Sequence, residues 1–300
     1  MASFFDEIAR NRLKSILLMF LFSVLFVGVI FFFALYLGIG QYGVAIAVGL
    51  VALYAVFVYY TGDKFVLRMS GAKEADKAQY RDLYSAVEGL AAAEQVPAPR
   101  VYIINDPNPN AFATGRNKKH ASIAVTTGLL HMMDRNELTA VIAHESSHIG
   151  NNDIQFMMIA VVFAGAIGIV AALLRNMFFF GGFMGNRDRG NGGMLMLVAL
   201  VVGLLAPLFA LLVRLAISRR REYMADANGA RITRAPKSLA DALRKIKTYA
   251  ENPHNAQMRH ANEVTAPLYF SSPFKKSSLM NLFSTHPPIE ERIKKLDSMY

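Results

Sequence analysis

Two uncharged runs near the start of the chain restrict its fold more than anything else in it. Ile16 to Tyr36 (ILLMFLFSVLFVGVIFFFALY) and Tyr42 to Tyr60 (YGVAIAVGLVALYAVFVYY) contain no Asp, Glu, Lys, Arg or His. Each is about twenty residues long, the length of helix that crosses roughly 30 Å of hydrocarbon. Both are therefore read as transmembrane helices. A cleaved signal peptide would have a shorter apolar core, about 7 to 15 residues, and no second span directly behind it.

The net charge of +10 raises the question of nucleic acid. Arg10, Arg12 and Lys14 precede the first run, Lys64, Arg68, Lys73 and Lys77 follow the second, and Arg219, Arg220 and Arg221 follow a later apolar stretch. These are membrane flanks, and no nucleic-acid motif accompanies them. The excess of Lys and Arg on the inner side places the N-terminus and residues 61 to 153 in the cytoplasm, with Leu37 to Gln41 outside. The chain has no Cys. That removes thiolate metal sites, cysteine nucleophiles and disulfides together, and it fits a reducing compartment.

Between the spans and the next apolar stretch, helical spacing of Tyr80, Leu83, Tyr84, Val87, Leu90 and Ala91 predicts an amphipathic helix over 74 to 96, stopped by Val96-Pro97-Ala98-Pro99. Arg100 to Asn105 reads as a strand, DPNPN as a turn, AFATG as an extended piece and Ala121 to Leu130 as a further strand. Asp134 with Glu137 three residues on is a capping pattern that starts a helix running to Ile149. Two more apolar runs follow, Ile154 to Leu174 and Met194 to Ile217, joined by GGFMGNRDRGNGG. Each is long enough to span. Arg187 and Arg189 in the linker sit badly with an outside loop, so a partly inserted hairpin stays open. Lys237 to Glu251 reads as an amphipathic helix, Asn252 to Ser284 as irregular, and Pro287 to Leu296 as a final helix opened by prolines. The expected fold is mainly α, a multi-pass membrane protein with a small β-sheet.

Within the predicted capped helix stands His144-Glu145-Ser146-Ser147-His148. Imidazoles four residues apart lie on nearly the same helical face, about one turn from each other. H-E-x-x-H on a helix is the signature of zinc metallopeptidases, with the glutamate as general base. A catalytic zinc takes three protein ligands, and without Cys the third is His, Asp or Glu. Glu222 in SRRREYMADANGA is the best placed, one turn before Asp226, so that Glu222 would bind the metal and Asp226 would accept a hydrogen bond from a ligand histidine. On these residues alone, Glu222 reads more readily as a surface partner of Arg219 or Arg220. His120, His131, His254 and His260 are not expected to bind the metal.

Two apolar N-terminal runs, NAFATG (Asn110 to Gly115), HESSH, a pair of later apolar segments, REYMAD (Arg221 to Asp226) and THPP (Thr285 to Pro288) together resemble the HtpX family of membrane-bound zinc metallopeptidases, relatives of the type I CAAX prenyl protease. The resemblance covers nearly the whole chain. Ser146 and Ser147 depart from the commoner residues at the variable positions of the motif. The likeness implies a zincin-like (gluzincin) metallopeptidase domain holding one Zn2+ per chain through His144, His148 and Glu222, with Glu145 as base. It implies that His286 stabilises the oxyanion, although a residue capping the helix behind Pro287 is an equal reading. It makes Asn110, Ala111, Phe112 and Ala113 the edge strand that holds an extended substrate by main-chain pairing, which is compatible with Phe112 being core. The apolar insert between His148 and Glu222 must then leave and re-enter the membrane on one side.

The expected organisation is a transmembrane pair over 1–60, a cytoplasmic catalytic half over 61–153, a second apolar hairpin over 154–217, and a second cytoplasmic half over 218–300. The resemblance implies a protein of the cell inner membrane, active on its cytoplasmic side in removing misfolded membrane proteins. Its partners would be membrane-protein substrates and the lipid bilayer. Two rivals are weaker. An inactive membrane scaffold with a zinc site has no use for Glu145, and a transporter would carry charges within its spans.

Overall fold

The computed structural model describes residues 42–163, 219–252, 255, 258, 265–271 and 287–299, with single positions before Tyr42. The chain divides into two compact units, Met1–Thr61 and Gly62–Tyr300. Helix α1 runs over Tyr42–Met69. Within it Val48–Met69 is long and apolar enough to cross a membrane, and it alone is so among the described residues. The expected span ended at Tyr60. The helix instead continues past Asp63, which is buried and paired with Arg100 Nη2 at 3.0 Å, so the charge ends the apolar run and leaves the helix intact. In the first unit Ile46, Leu50, Leu53, Phe57 and Tyr60 are each 44–67% exposed. Their spacing of three and four places them in one stripe, an apolar face turned outward.

The second unit holds a four-stranded sheet with β1 (Ala72–Glu74), β2 (Arg100–Ile104), β3 (Ala111–Gly115) and β4 (Ala121–Thr126), in the order β1-β2-β4-β3. Only β2 and β4 run parallel. The helix expected over 74–96 is shorter, α2 at Arg81–Glu94, because Ala72 to Glu74 pair with β2 and Ala75 N–H continues to Val101 O at 2.9 Å. The apolar period was real from Tyr80 onward. The strand expected to reach Leu130 also stops early. Thr126 Oγ1 accepts from Leu129 N–H at 3.1 Å and caps α3 (Thr127–Met132), so the chain turns helical where a hydroxyl can satisfy the first free amide.

Helix α4 (Arg135–Gly150) starts with the expected capping box: Glu137 N–H donates to Asp134 Oδ1 at 2.9 Å, and Asp134 N–H to Glu137 Oε2 at 2.8 Å. From Ala140 to Ile149 every residue is buried, being packed by β3, β4, α2, α6 (Arg219–Thr233) and α7 (Pro236–Glu251). An apolar helix, α5 (Asp153–Phe163), covers the described part of the third apolar run. The rest of that run, the glycine-rich linker and Met194 to Ile217 lie outside the described residues, as do His254, His260 and His286. The final helix is α8 (Ile289–Asp297).

The sheet edge at β3 is partly covered by the chain itself. Phe270 N–H donates to Ala111 O at 2.8 Å, Asn110 Nδ2 donates to Ser271 O at 3.0 Å, and Ser271 N–H donates back to Asn110 Oδ1 at 3.2 Å. Tyr269 packs edge-on against Phe112, with ring centroids 5.2 Å apart.

A glycine sets how closely α6 approaches α4. A Cβ on Gly229 would lie 3.0 Å from His144 N and 3.3 Å from its Cα, both backbone atoms that cannot swing aside. Gly229→Ala is therefore expected to lower stability by about 1–3 kcal/mol, the cost of forcing extra volume into a packed contact. At Gly89 in α2 a Cβ meets nothing within 4 Å, so Gly89→Ala is expected to stabilise by roughly 0.5–1 kcal/mol. Thermal unfolding of both variants checks this; equal shifts would show that the Gly229 contact does not matter.

Candidate metal centre

Because α4 is regular through its second half, His144 and His148 stand one above the other, with ring centroids 4.9 Å apart and both buried. Helix α6 brings Glu222 opposite them. Its Oε2 lies 3.7 Å from His144 Nε2 and its Oε1 3.6 Å from His148 Nε2. One donor atom from each of the three residues lies within 4.8 Å of the others. Donors about 2.1 Å from a tetrahedral zinc would be about 3.4 Å from one another, so the two Glu222–histidine separations are close to what the ion requires, and the set as a whole is somewhat wider. His144 Nε2 is buried with no hydrogen-bond partner among the described residues.

Both imidazoles turn their other nitrogen to a carboxylate. His144 Nδ1 is 2.9 Å from Asp226 Oδ1, and His148 Nδ1 is 3.2 Å from Asp153 Oδ2. With Nδ1 carrying the proton, each Nε2 is left as a lone pair aimed at Glu222, the orientation a metal-binding histidine needs. Behind each carboxylate stands a buried arginine. Arg292 of α8 donates through Nε to Asp226 Oδ2 at 2.9 Å and through Nη2 to Oδ1 at 2.7 Å, while Arg221 Nη1 is 3.7 Å from Asp153 Oδ1.

Counted as ionised, the four carboxylates Glu145, Asp153, Glu222 and Asp226 face two guanidiniums, all of them buried. With both imidazoles neutral, the state in which they bind a metal, the excess is two negative charges; without a metal a proton on His148 relieves part of it. Unpaired charge in so dry a place is costly, and a divalent cation cancels it. The residues present therefore fit a dication.

The protonation equilibria follow from the same packing. Burial pulls His144 down to about 4, helped by Arg292 and His148 against the pull of Asp226. Burial would lower His148 too, but its hydrogen bond to Asp153 and the charge of Glu222 outweigh it and raise the group to about 9. Burial raises Asp226 as well, yet Arg292 and His144 overcome it and hold the carboxylate well below its usual range. Glu145 goes the other way. Burial, with Glu222 beside it, lifts it to about 7, against the opposing pull of His148 and of the Ala113 N–H on β3. Its Oε2 is buried with no hydrogen-bond partner among the described residues.

The structure thus brings together His144, Glu145, His148, Glu222 and Asp226, with Ala113 of the strand Asn110 to Ala113 touching Glu145. His286 falls outside the described residues. The sequence reading missed Asp153, Arg221 and Arg292. Asp153 comes back to His148 through a turn in which Asn152 adopts φ 59°. For Arg292 there was a signal: it shares the face of α8 that carries Ile289, Ile293 and Leu296, so a cation interrupts an apolar stripe.

The chain as a whole is similar to known proteins. The profile of peptidase family M48 matches residues 77–300. Curated proteins named Protease HtpX homolog are similar over nearly their whole length. The one from Dictyoglomus thermophilum is 40% identical over 99% of this chain and 95% of its own, and the one from Caldanaerobacter subterraneus subsp. tengcongensis is 45% identical over 97% and 96%. The one from Streptococcus thermophilus is 43% identical over 98% and 99%. Among solved structures, that of S. mikatae Ste24p has a similar fold, with a TM-score of 0.51 at 18% identity, covering 93% of this chain and 62% of that one.

Proposed function

The chain belongs to peptidase family M48, as a metalloprotease of the HtpX kind, and on that premise we propose that it is a zinc-dependent endopeptidase cleaving misfolded membrane proteins at the cytoplasmic face of the cell membrane. The observation that carries the reading is the meeting of two imidazoles and the Glu222 carboxylate beside a second, differently held carboxylate, Glu145.

His144, His148 and Glu222 would hold a zinc ion, which when bound would supply Lewis acidity towards water and the peptide carbonyl. Glu145 takes one proton from the attacking water and delivers it to the amine nitrogen as the C–N bond breaks, which leaves a carboxylic acid and an amine. A group near 7 is well matched to accept and return a proton at neutral pH. Asp226 and Asp153 keep the Nδ1 protons of the two histidines in place. His286 is assigned as oxyanion donor, supported by its position just ahead of α8, whose Arg292 reaches the cluster. An extended substrate lies along β3, where Ala113 turns its N–H towards Glu145. Asn110 and Ala111, already bonded to Phe270 and Ser271, bound that groove at one end.

The outward apolar stripe of α1 and its basic flanks support a membrane location with residues 61–153 and 218–300 on the cytoplasmic side of a four-span topology. Single cysteines are simple to read in a chain that has none. A cysteine at Lys118 and one at Asn255 are expected to react from the same side, and labelling from opposite sides would sink the topology. One at Asp188 reports whether the later apolar pair crosses fully. The substrate class is tested by mass spectrometry of membrane-protein fragments that accumulate with the wild type; fragments that persist with Glu145→Ala would count against it.

A further inference from the structure

We infer that Arg292 is a positioning residue of the metal centre: from the C-terminal helix it fixes the Asp226 carboxylate, and through it the ring of His144, so that metal affinity depends on α8 being docked. The inference rests on the zinc reading of His144, His148 and Glu222.

All three nitrogens of the Arg292 guanidinium are engaged. Nε and Nη2 hold both oxygens of Asp226, Nη1 donates to Phe270 O at 2.9 Å, and the guanidinium carbon lies 4.6 Å from the centre of the Phe270 ring. That same ring packs edge-on against His144 at 4.8 Å. A planar fork bonded at three points and stacked on a ring has no rotation left. Asp226 inherits that rigidity. Without it, a carboxylate touching only His144 Nδ1 could turn about its own axis and would be a buried anion with no cation at hand.

The two histidines differ in this respect. His148 takes its partner from five residues along its own chain segment, and the arginine behind Asp153 stands off at 3.7 Å. His144 takes Asp226 from α6 and, behind it, Arg292 from α8, so one hydrogen-bonded chain joins three elements far apart in sequence. A buried ion pair adds little stability over well-packed apolar residues. Gripping both oxygens of Asp226, so that one of them stays on His144 Nδ1, is something an apolar residue at 292 cannot do.

The test uses the purified full chain in detergent and reads the zinc dissociation constant by competition with a chromophoric chelator, alongside thermal unfolding of the metal-free protein. Arg292→Gln and Asp226→Asn are each expected to raise the constant about 10- to 100-fold, the usual effect of losing support behind a ligand. The double variant is expected to be no worse than the weaker single one, because both changes cut the same chain. Multiplying effects would mean that Arg292 acts elsewhere and would overturn the inference. So would a wild-type constant in Arg292→Gln, even with a lowered melting point, since that is the mark of a merely structural residue. Should Arg292→Gln not fold, Arg292→Lys keeps the charge, loses the fork and is expected to fold with weakened zinc binding. Wild-type affinity in Arg292→Lys, or its failure to fold, refutes the positioning role. Glu222→Gln separates the two layers: if it binds zinc like the wild type, the zinc reading itself falls, whatever Arg292 does.

Discussion

Glu145→Ala is expected to keep its zinc and lose peptide cleavage by a factor of about 10² to 10⁴, the usual contribution of a proton-transfer residue. Glu145 follows His144 directly, so its side chain leaves α4 about 100° further round the helix and is not one of the three donors that converge. Its surroundings suit proton transfer instead. Burial raises it to about 7, and it faces Ala113 of the strand where the substrate carbonyl is expected. Zinc content by atomic emission and cleavage of an unfolded protein, measured on the same preparation, decide the matter. Wild-type zinc with wild-type proteolysis would remove Glu145 from the mechanism, and loss of zinc would make it a ligand.

Glu222→Gln should do the opposite and empty the site under dialysis. Two imidazoles one turn apart hold zinc weakly and in no fixed geometry, whereas the third donor closes the set from the far side at 3.6 and 3.7 Å. It also leaves the cluster with one negative charge fewer to balance a dication. Asp226→Asn differs in kind. It leaves all three donors and is expected to bind zinc at high concentration yet to work poorly, since His144 is no longer held in one tautomer. The order of severity is the measurement. If Glu222→Gln bound zinc as the wild type does while Asp226→Ala did not, the ligand would have to be reassigned to Asp226.

What could be read from the sequence was whatever a helix repeats locally. His144 and His148, then Glu222 and Asp226, are each four residues apart, and the capping pattern at Asp134 fixes where the first pair's helix begins. Once both segments are helical, only a close crossing is needed to assemble the donors. What stayed hidden depends on partners distant in sequence. Ala72 to Glu74 has no strand signature of its own and is extended because β2 offers it a free edge. Thr126 and Thr127 look like strand residues, but the hydroxyl of Thr126 finds Leu129 N–H and the chain coils. Arg292 stood among Glu290, Glu291, Lys294 and Lys295 in what reads as a solvated charged helix. Its place on the face of Ile289, Ile293 and Leu296 was the one sign of burial, and the packing of α8 on α6 and α7 shows what it meets there.

The hydrogen-bonded chain from His144 through Asp226 to Arg292 also has a bearing on biosynthesis. Arg292 follows His144 by 148 residues and Asp226 by 66. At about 5–20 residues per second, the ribosome adds Arg292 roughly 7–30 s after His144 and several seconds after both members of the E-x-x-x-D pair. From the addition of Glu222 onward the nascent polypeptide carries every zinc donor but not the guanidinium that tightens the grip on the ion. A protease is thereby kept below working strength while it is itself unfolded, and reaches full strength only as its last helix docks.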